Sequence, residues 1–384
     1  MANRLRDFKN AFERRVYLEN KVKIHLDKIS NFSFPEEEVL GRNIENLIGA
    51  TQIPLGIAGP ILIKGKGERE KGKGYFIPLA TTEGALVASV SRGCKAISES
   101  GGTFVEVENV GITRGPVFRT EGIEHSVKVK TWVDKNFLKI THVAKKTSSH
   151  LKLKKLGTRF AGRNLFIRFY FNTQDAMGMN MATIATEAAT KLIEKETGAE
   201  CISVAGNFDI DKKPAWLNFI SGRGKRVWAE VTLKKALVKE VLKTTPEKIA
   251  DLVYRKCLVG SIMSGSLGFN AHFANIIAAL FIATGQDPAH IAEGSLGITT
   301  AEVLDDGSLH FSIYLPSLIV GIIGGGTTLP TQKEALNITG ANSVLEFAEV
   351  IAGAVLAGEL SLLASQAEGT LASSHIKLGR KGKK

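Results

Sequence analysis

The chain has 384 residues, of which 44% are hydrophobic and 23% charged, and its formal net charge is +12. That composition excludes an intrinsically disordered chain, and the length suits roughly two or three domains. The positive balance fits a polyanion or a phosphate-bearing small molecule, but zinc-finger spacing, an aromatic RNA-binding motif and an arginine-rich arm are all missing, so no nucleic-acid partner is expected.

The N-terminal stretch MANRLRDFKNAFERRVYLENKVKIH is charged throughout and lacks the apolar core of a signal peptide. Taken as the most apolar segments, ANIIAALFIATG and SLIVGIIGGG fall short of the roughly 18 residues that span a bilayer. The expectation is a soluble, cytoplasmic protein with no membrane contact. Cys94, Cys201 and Cys257 are far apart and odd in number, which argues for reduced, buried thiols.

Residues 1–50 read as charged helices, one of them starting at FPEEEVL, where acidic side chains suit the positive end of a helix. Glycine turns follow, and then a helix in TTEGALVASVSRGCKAISES. Leu86, Val90, Cys94 and Ile97 recur there at helical spacing, and Gly101-Gly102 stops it. From about residue 116 the chain changes style. SVKVKTWVDKNFLKITHVAKKTSSHLKLKKLG reads as β-rich, followed by the strand NLFIRFYF and a helix from about Asp175 to Glu196. The glycine-rich, apolar style resumes at Val204, so 116–204 looks like an inserted small α/β domain. Ser266–Gly285, apolar nearly all round, predicts a buried central helix. The expected class is α+β: an N-terminal helical segment (1–50), a large domain (51–115 and 205–384) around a long central helix, and the insert.

Several residues could carry chemistry. In GNFDIDKKPAWLNFISGRGK the aspartate and two lysines before Pro214 form either a solvated turn or a fixed pose for Lys212 and Lys213. Glu83 is either a first-turn helix acid or a functional carboxylate. Asp287 follows the end of an apolar helix, where a carboxylate is electrostatically misplaced, so it points to water or has a cationic partner. His375 is an exposed histidine or an acid on a closing flap. DAMGMNM and GIIGGGTTLP are glycine-rich segments suited to helix-start packing or to phosphate. Neither matches GxGxxG or GxxxxGK[ST]. Without HExxH, GxSxG or clustered His and Cys, no metal is expected and a serine hydrolase of that kind is excluded.

In order, the blocks ENLIG, PLGIAGP, LATTEGALVASVSRGCKAI, GITRGPV, AGRNLFIRF, DAMGMNM, GNFDIDKKPA, GRGK, GSLGFNAHFANIIAALFIATGQD, PSLIVGIIGGGT and AGELSLLASQAEGTLASSH closely resemble the 3-hydroxy-3-methylglutaryl-coenzyme A reductase family over nearly all of residues 40–380. The details are most similar to the class I form, reduced to its soluble catalytic portion. The resemblance implies reduction of 3-hydroxy-3-methylglutaryl-coenzyme A (HMG-CoA) to mevalonate and coenzyme A; an oxidative, NAD-linked use of the same site is the alternative. It implies a catalytic set of Glu83, Lys212, Asp287 and His375, with Arg114, Asp211, Lys213 and Lys256 contacting substrate. For Glu83 to donate a proton, burial or a neighbouring carboxylate must counter the helix dipole.

The resemblance further implies that a small inserted ferredoxin-like, non-Rossmann domain binds NADPH through Asp175, Met177, Gly178, Asn180 and Gly324, Gly325, Gly326 and Thr327. The run KKTSSHLKLKK, with Lys146 and Ser148, offers cations and hydroxyls for a ribose 2′-phosphate and no acid for a 2′-hydroxyl. Two positions depart from the family pattern. Ser149 stands where class I relatives often have arginine, so Lys146 or Lys152 would substitute, and Ala205 stands where a serine often precedes GN. The implied assembly is a homodimer or dimer of dimers whose active site is completed between subunits.

Overall fold

The computed structural model describes residues 5–65 and 71–369, and within them eleven strands form one continuous sheet. Its hinge is the strand Thr103–Arg114. Residues 104–111 pair antiparallel with the strand Gly224–Leu233, whereas Ile112, Thr113 and Arg114 pair with Phe171, Tyr170 and Phe169. One strand therefore feeds two hydrophobic cores and delivers Arg114 to the junction between them.

The larger core surrounds the helix Val344–Ala367, of which nearly every residue is buried. Ser343 caps it by accepting from the Glu346 N–H, and Asp175 Oδ1 accepts from the Val344 N–H at 2.8 Å, a negative charge at the positive helix end. Against it lies the helix Leu86–Glu99, whose face of Leu86, Val90, Cys94 and Ile97 is buried as its spacing predicts. Each of its large aliphatic side chains contributes roughly 1.5–3 kcal/mol by leaving water. The two backbones touch at Gly93, where a Cβ would sit 1.9 Å from the Ala357 carbonyl oxygen, so Gly93→Ala would force the helices apart.

The central helix is thus Val344–Ala367 and not Ser266–Gly285, of which only Phe273–Thr284 is helical. The physical reason is Glu359. Its buried carboxylate accepts from the N–H groups of Ala271 and His272 and from the Thr299 hydroxyl, which takes the start of that segment out of the helical ladder. Val344–Ala367, which is not among the apolar segments named above, is also long and apolar enough to cross a membrane; 94% of its apolar window is buried inside the fold, as a core helix is.

The second core is built from residues 112–201 together with Ile319. Its order is the strand Val117–Arg119, the helices Ile123–Lys135 and Phe137–Lys145, the strands Lys152–Ala161 and Asn164–Asn172, the helix Met179–Thr197 and the strand Glu200–Ser203. The expected β-rich stretch is therefore helical over 123–145. Alternating valines suggest a strand, but Ser126, Val129, Val133, Ile140 and Ala144 are the buried set, spaced as one helical face on each segment. Cys94, Cys201 and Cys257 are free, and burial pushes the Cys94 and Cys257 thiols up to about 12.

Candidate active site

The segment around DKK is a turn with Lys212, Lys213 and Pro214 exposed, and its backbone is nonetheless held in a fixed pose. Asn207, Ile210 and Lys212 have φ of 61°, 55° and 57°, the left-handed region that side chains, and β-branched ones most of all, avoid. Three contacts hold the strain in place. The Thr113 hydroxyl donates to the Asp209 carbonyl (2.9 Å), Asn218 Nδ2 donates to the Ile210 carbonyl (3.0 Å), and the Lys212 N–H donates to Glu293 Oε1 (2.7 Å).

That pose sets the Lys212 ammonium 2.7 Å from Asp287 Oδ2. Asp287 lies three residues beyond the helix Phe273–Thr284, whose C-cap is Gly285 (φ 70°), so the misplaced carboxylate has its cationic partner. Burial alone would raise the Asp287 carboxyl, but the Lys212 hydrogen bond, the Ala289 N–H and the nearby His290 outweigh it and hold it below the usual aspartate value. The Asp287 hydrogen bond, offset partly by burial, raises Lys212 above the usual lysine value. The ammonium thus stays charged, as stabilising a developing oxyanion requires.

Beneath this pair lies a charged layer that sequence reasoning missed. Arg223, fully buried, donates to Glu293 Oε1 (2.6 Å), Asp211 Oδ1 (2.8 Å) and the Thr113 hydroxyl (2.8 Å). His290 and Glu293 are both fully buried, with His290 Nδ1 3.3 Å from Glu293 Oε2. Asp211, His290 and Glu293 bring ligand atoms within 4.8 Å of one another, but the Arg223 guanidinium already ties both carboxylates, so the group is an ion-pair network rather than a metal cage. Beside it Arg114 pairs with the buried Asp209 at 2.8 Å and donates to the Thr183 hydroxyl (2.9 Å). Closeness to DKK was the available signal for Arg223 and Asp209; nothing local announced His290 or Glu293.

Other expected site residues lie apart from the pair. Glu83 precedes the helix Leu86–Glu99 rather than opening its first turn; it is exposed and accepts from Asn275 Nδ2 at 2.8 Å. Among the described residues no hydrogen bond or ion pair joins it to Lys212 or Asp287. Lys213 is exposed with its ammonium 3.5 Å from the Asp211 carbonyl, and Lys256 is half-buried on the segment Val253–Gly260, outside the network. His375 lies outside the described residues.

The two glycine-rich segments, by contrast, lie back to back. The Ile322 N–H donates to the Asp175 carbonyl (2.8 Å), Ala176 bridges Ile323, and a Cβ on Gly321 would sit 2.4 Å from the Met177 nitrogen. Gly178 (φ 82°) precedes the helix Met179–Thr197, and Met177 is half-buried while Asn180 is exposed on the first turn. Asp175 spends its carboxylate on capping the core helix. The turn with Lys146 and Ser148 runs alongside: the Ser148 hydroxyl is 3.6 Å from Met181 Sδ, and Lys146 is exposed. In the second loop Gly324, Gly325, Gly326 and Thr327 form a tight turn closed by the Thr327 hydroxyl on the Gly324 carbonyl (2.8 Å). A Cβ on Gly326 would sit 2.5 Å from the Gly285 carbonyl, so this loop packs onto the turn carrying Asp287.

A fixed lysine–aspartate pair near a helix N-terminus and a glycine loop is an arrangement suited to an anionic oxygen and a phosphate, as in an enzyme acting on a phosphate-bearing ligand. Residues 10–380 match the family model for hydroxymethylglutaryl-coenzyme A reductase. The chain is 52% identical to the 3-hydroxy-3-methylglutaryl-coenzyme A reductase of Methanocaldococcus jannaschii, over 96% of this chain and 92% of that one. It is 50% identical to the Pyrococcus abyssi reductase, with the same coverage. It shares its fold with the class II reductase of Streptococcus pneumoniae solved bound to NADPH, at 18% identity and a TM-score of 0.71, over 93% of this chain and 97% of that one. The protein belongs to the hydroxymethylglutaryl-coenzyme A reductase family.

Proposed function

We propose that the protein reduces HMG-CoA to mevalonate and coenzyme A with two equivalents of NADPH, in the cytoplasm, as a step of isoprenoid biosynthesis. The observation that carries this reading is the Lys212–Asp287 pair at 2.7 Å, fixed by a strained loop and flanked by two interlocked glycine segments. Those segments fit a phosphate-bearing dinucleotide. Gly178 opens a helix whose first-turn N–H groups have no intrahelical partner, and the turn with Lys146 and Ser148 runs beside it.

NADPH supplies one hydride to the thioester carbonyl carbon and, from a second molecule, another to the aldehyde released by collapse of the hemithioacetal. Negative charge gathers on the same oxygen at both stages. Lys212 stabilises it, a donor role worth about 3 kcal/mol. Asp287 orients Lys212; Glu83, brought to that oxygen across a contact between subunits, delivers its proton; and His375 protonates the departing coenzyme A thiolate. Arg114, Lys213 and Lys256 provide cations for the substrate carboxylate, with Asp211 beside them.

Residues 116–204 are the cofactor domain, and residues 51–115 with 205–384 the substrate domain. The insert's strand order, with antiparallel pairing of Val117–Arg119 to both Asn164–Asn172 and Glu200–Ser203, supports a ferredoxin-like, non-Rossmann description. The site is completed between two subunits. Glu83 stands exposed and apart from Lys212, and Leu55, Ile57 and Phe76 are 51%, 44% and 48% exposed on one hairpin. A fully active monomer at assay concentration, measured by light scattering, would overturn the assembly.

The decisive assay follows NADPH oxidation with HMG-CoA in the wild type and in Lys212→Met, and repeats it with NADH. Turnover that needs the thioester and collapses in the variant is the expected result. Folded protein with no turnover on either cofactor refutes the activity, and a clear NADH preference transfers the reading to the oxidative direction.

A further inference from the structure

His290 closes the turn Pro288–His290 immediately after Asp287, and its ring is fully buried. Carboxylates face both of its nitrogens. Nδ1 is 3.3 Å from Glu293 Oε2; Nε2 is 3.9 Å from Asp287 Oδ2 and 4.0 Å from Asp211 Oδ1, and makes no hydrogen bond. In a neutral imidazole one nitrogen is a lone pair. A proton on Nδ1 alone aims that lone pair at Asp211 and Asp287, and a proton on Nε2 alone aims it at Glu293. Both arrangements are repulsive around a ring that is itself shut off from water, although Asp211 and Asp287 are partly exposed on their far sides.

The charges lead to the same place. Asp211, Asp287 and Glu293 bring three negative charges, against which stand the Lys212 ammonium and the Arg223 guanidinium. A third cation closes the balance, and the His290 ring, enclosed by all three carboxylates on the buried side of the cluster, is the group placed to supply it.

We propose that His290 is a positioning residue that carries both ring protons, donating from Nδ1 to Glu293 and presenting the Nε2 proton to Asp287 and Asp211. The distances from Nε2 are too long for hydrogen bonds while Lys212 occupies Asp287, and short enough for one to form after a small rotation. That matters at the moment of reaction. Lys212 must turn toward the substrate oxygen, and Asp287 then keeps only the Ala289 N–H on Oδ1 and loses its cation. His290 takes over the aspartate and keeps it ionised, so the ammonium is released without drawing a proton onto Asp287. The catalytic part of this inference rests on the proposed function; the charge state of the ring does not.

The test joins a spectroscopic and a kinetic measurement on the whole protein. Histidine-selective nitrogen-15 labelling reports the protonation of each of the eight histidines, and His290 is identified by its loss in His290→Gln. Should that variant fail to fold, the ring perturbed by Asp287→Asn identifies it instead. The expected spectrum shows both ring nitrogens protonated at neutral pH. A neutral tautomer there overturns the proposal whatever the activity. In the kinetics, His290→Gln lowers kcat by about tenfold, the scale of one charge-assisted hydrogen bond, with KM for HMG-CoA little changed. The acid limb of the kcat profile moves to higher pH, because Asp287 is then protonated more readily. An unmoved acid limb, or equal losses in kcat and affinity, reduces His290 to a packing residue. Stoichiometric Zn²⁺ binding that disappears in His290→Gln also overturns the proposal, since a metal would then be the missing cation.

Discussion

Gln286 grips the backbone of Gly321 with both ends of its side-chain amide: Nε2 donates to the Gly321 carbonyl at 2.9 Å and Oε1 accepts the Gly321 N–H at 3.0 Å. Gly321 presses on Met177, and Gln286 is the neighbour of Asp287, so one buried side chain connects the lysine–aspartate pair to the glycine segments. Gln286→Leu leaves both backbone groups unpaired, at a cost of about 2–4 kcal/mol. Urea unfolding should register that loss, and KM for NADPH should rise roughly tenfold. A variant with unchanged cofactor affinity would sever this connection.

Asn218 plays the corresponding part under the DKK loop. Its Nδ2 holds the Ile210 carbonyl, and its Oδ1 accepts from the fully buried Arg168 at 2.6 Å. Burial lowers the Arg168 guanidinium to about 10, which marks how little compensates it. Asn218→Ala removes a partner from that charge and frees a strained residue, so stability should fall by about 3 kcal/mol. The loss in kcat should exceed any change in KM, since Lys212 loses its pose. Unfolding curves and steady-state kinetics on the same preparation decide it.

Lys225 is buried on the strand Gly224–Leu233, with its ammonium 3.0 Å from Asn109 Oδ1. Desolvation, and to a lesser degree Lys154, lowers it from 10.5 to about 8. Between those values the unfolded chain binds a proton that the folded chain has released, so stability rises with pH across that window. The full span is on the order of 3 kcal/mol. Unfolding free energies measured from pH 7 to 10.5 should therefore climb in the wild type relative to Lys225→Met. Parallel pH profiles for the two proteins would show that the lysine keeps its charge by some other means.

His375, beyond the described residues, carries a separable expectation. His375→Gln should slow HMG-CoA reduction by roughly a hundredfold, the scale of a positioned proton donor. Reduction of free mevaldehyde, which releases no thiolate, should be nearly untouched. Equal losses on both substrates would take the thiolate role from His375.

Features that depend on local spacing or on short blocks were legible in the chain before any fold was known. The helix Leu86–Glu99 was legible because its apolar residues recur at helical intervals and glycines end it. The cationic partner of Asp287 was foreseeable because a carboxylate just past a helix end needs one, and motif order alone carried the family. Tertiary structure decided what depends on partners distant in the chain. Glu359 ended the helical ladder before Phe273 from 87 residues away, and the alternating Val127 and Val129 parted, Val129 joining Ser126 and Val133 on a buried helix face while Val127 stayed exposed, because a core formed on one side of them. Arg223, Glu293 and His290 acquired their importance only when folding excluded water around them. A charge exposed in the unfolded chain interacts weakly, whereas the same charge buried must find its counterpart, and that counterpart can come from any part of the sequence.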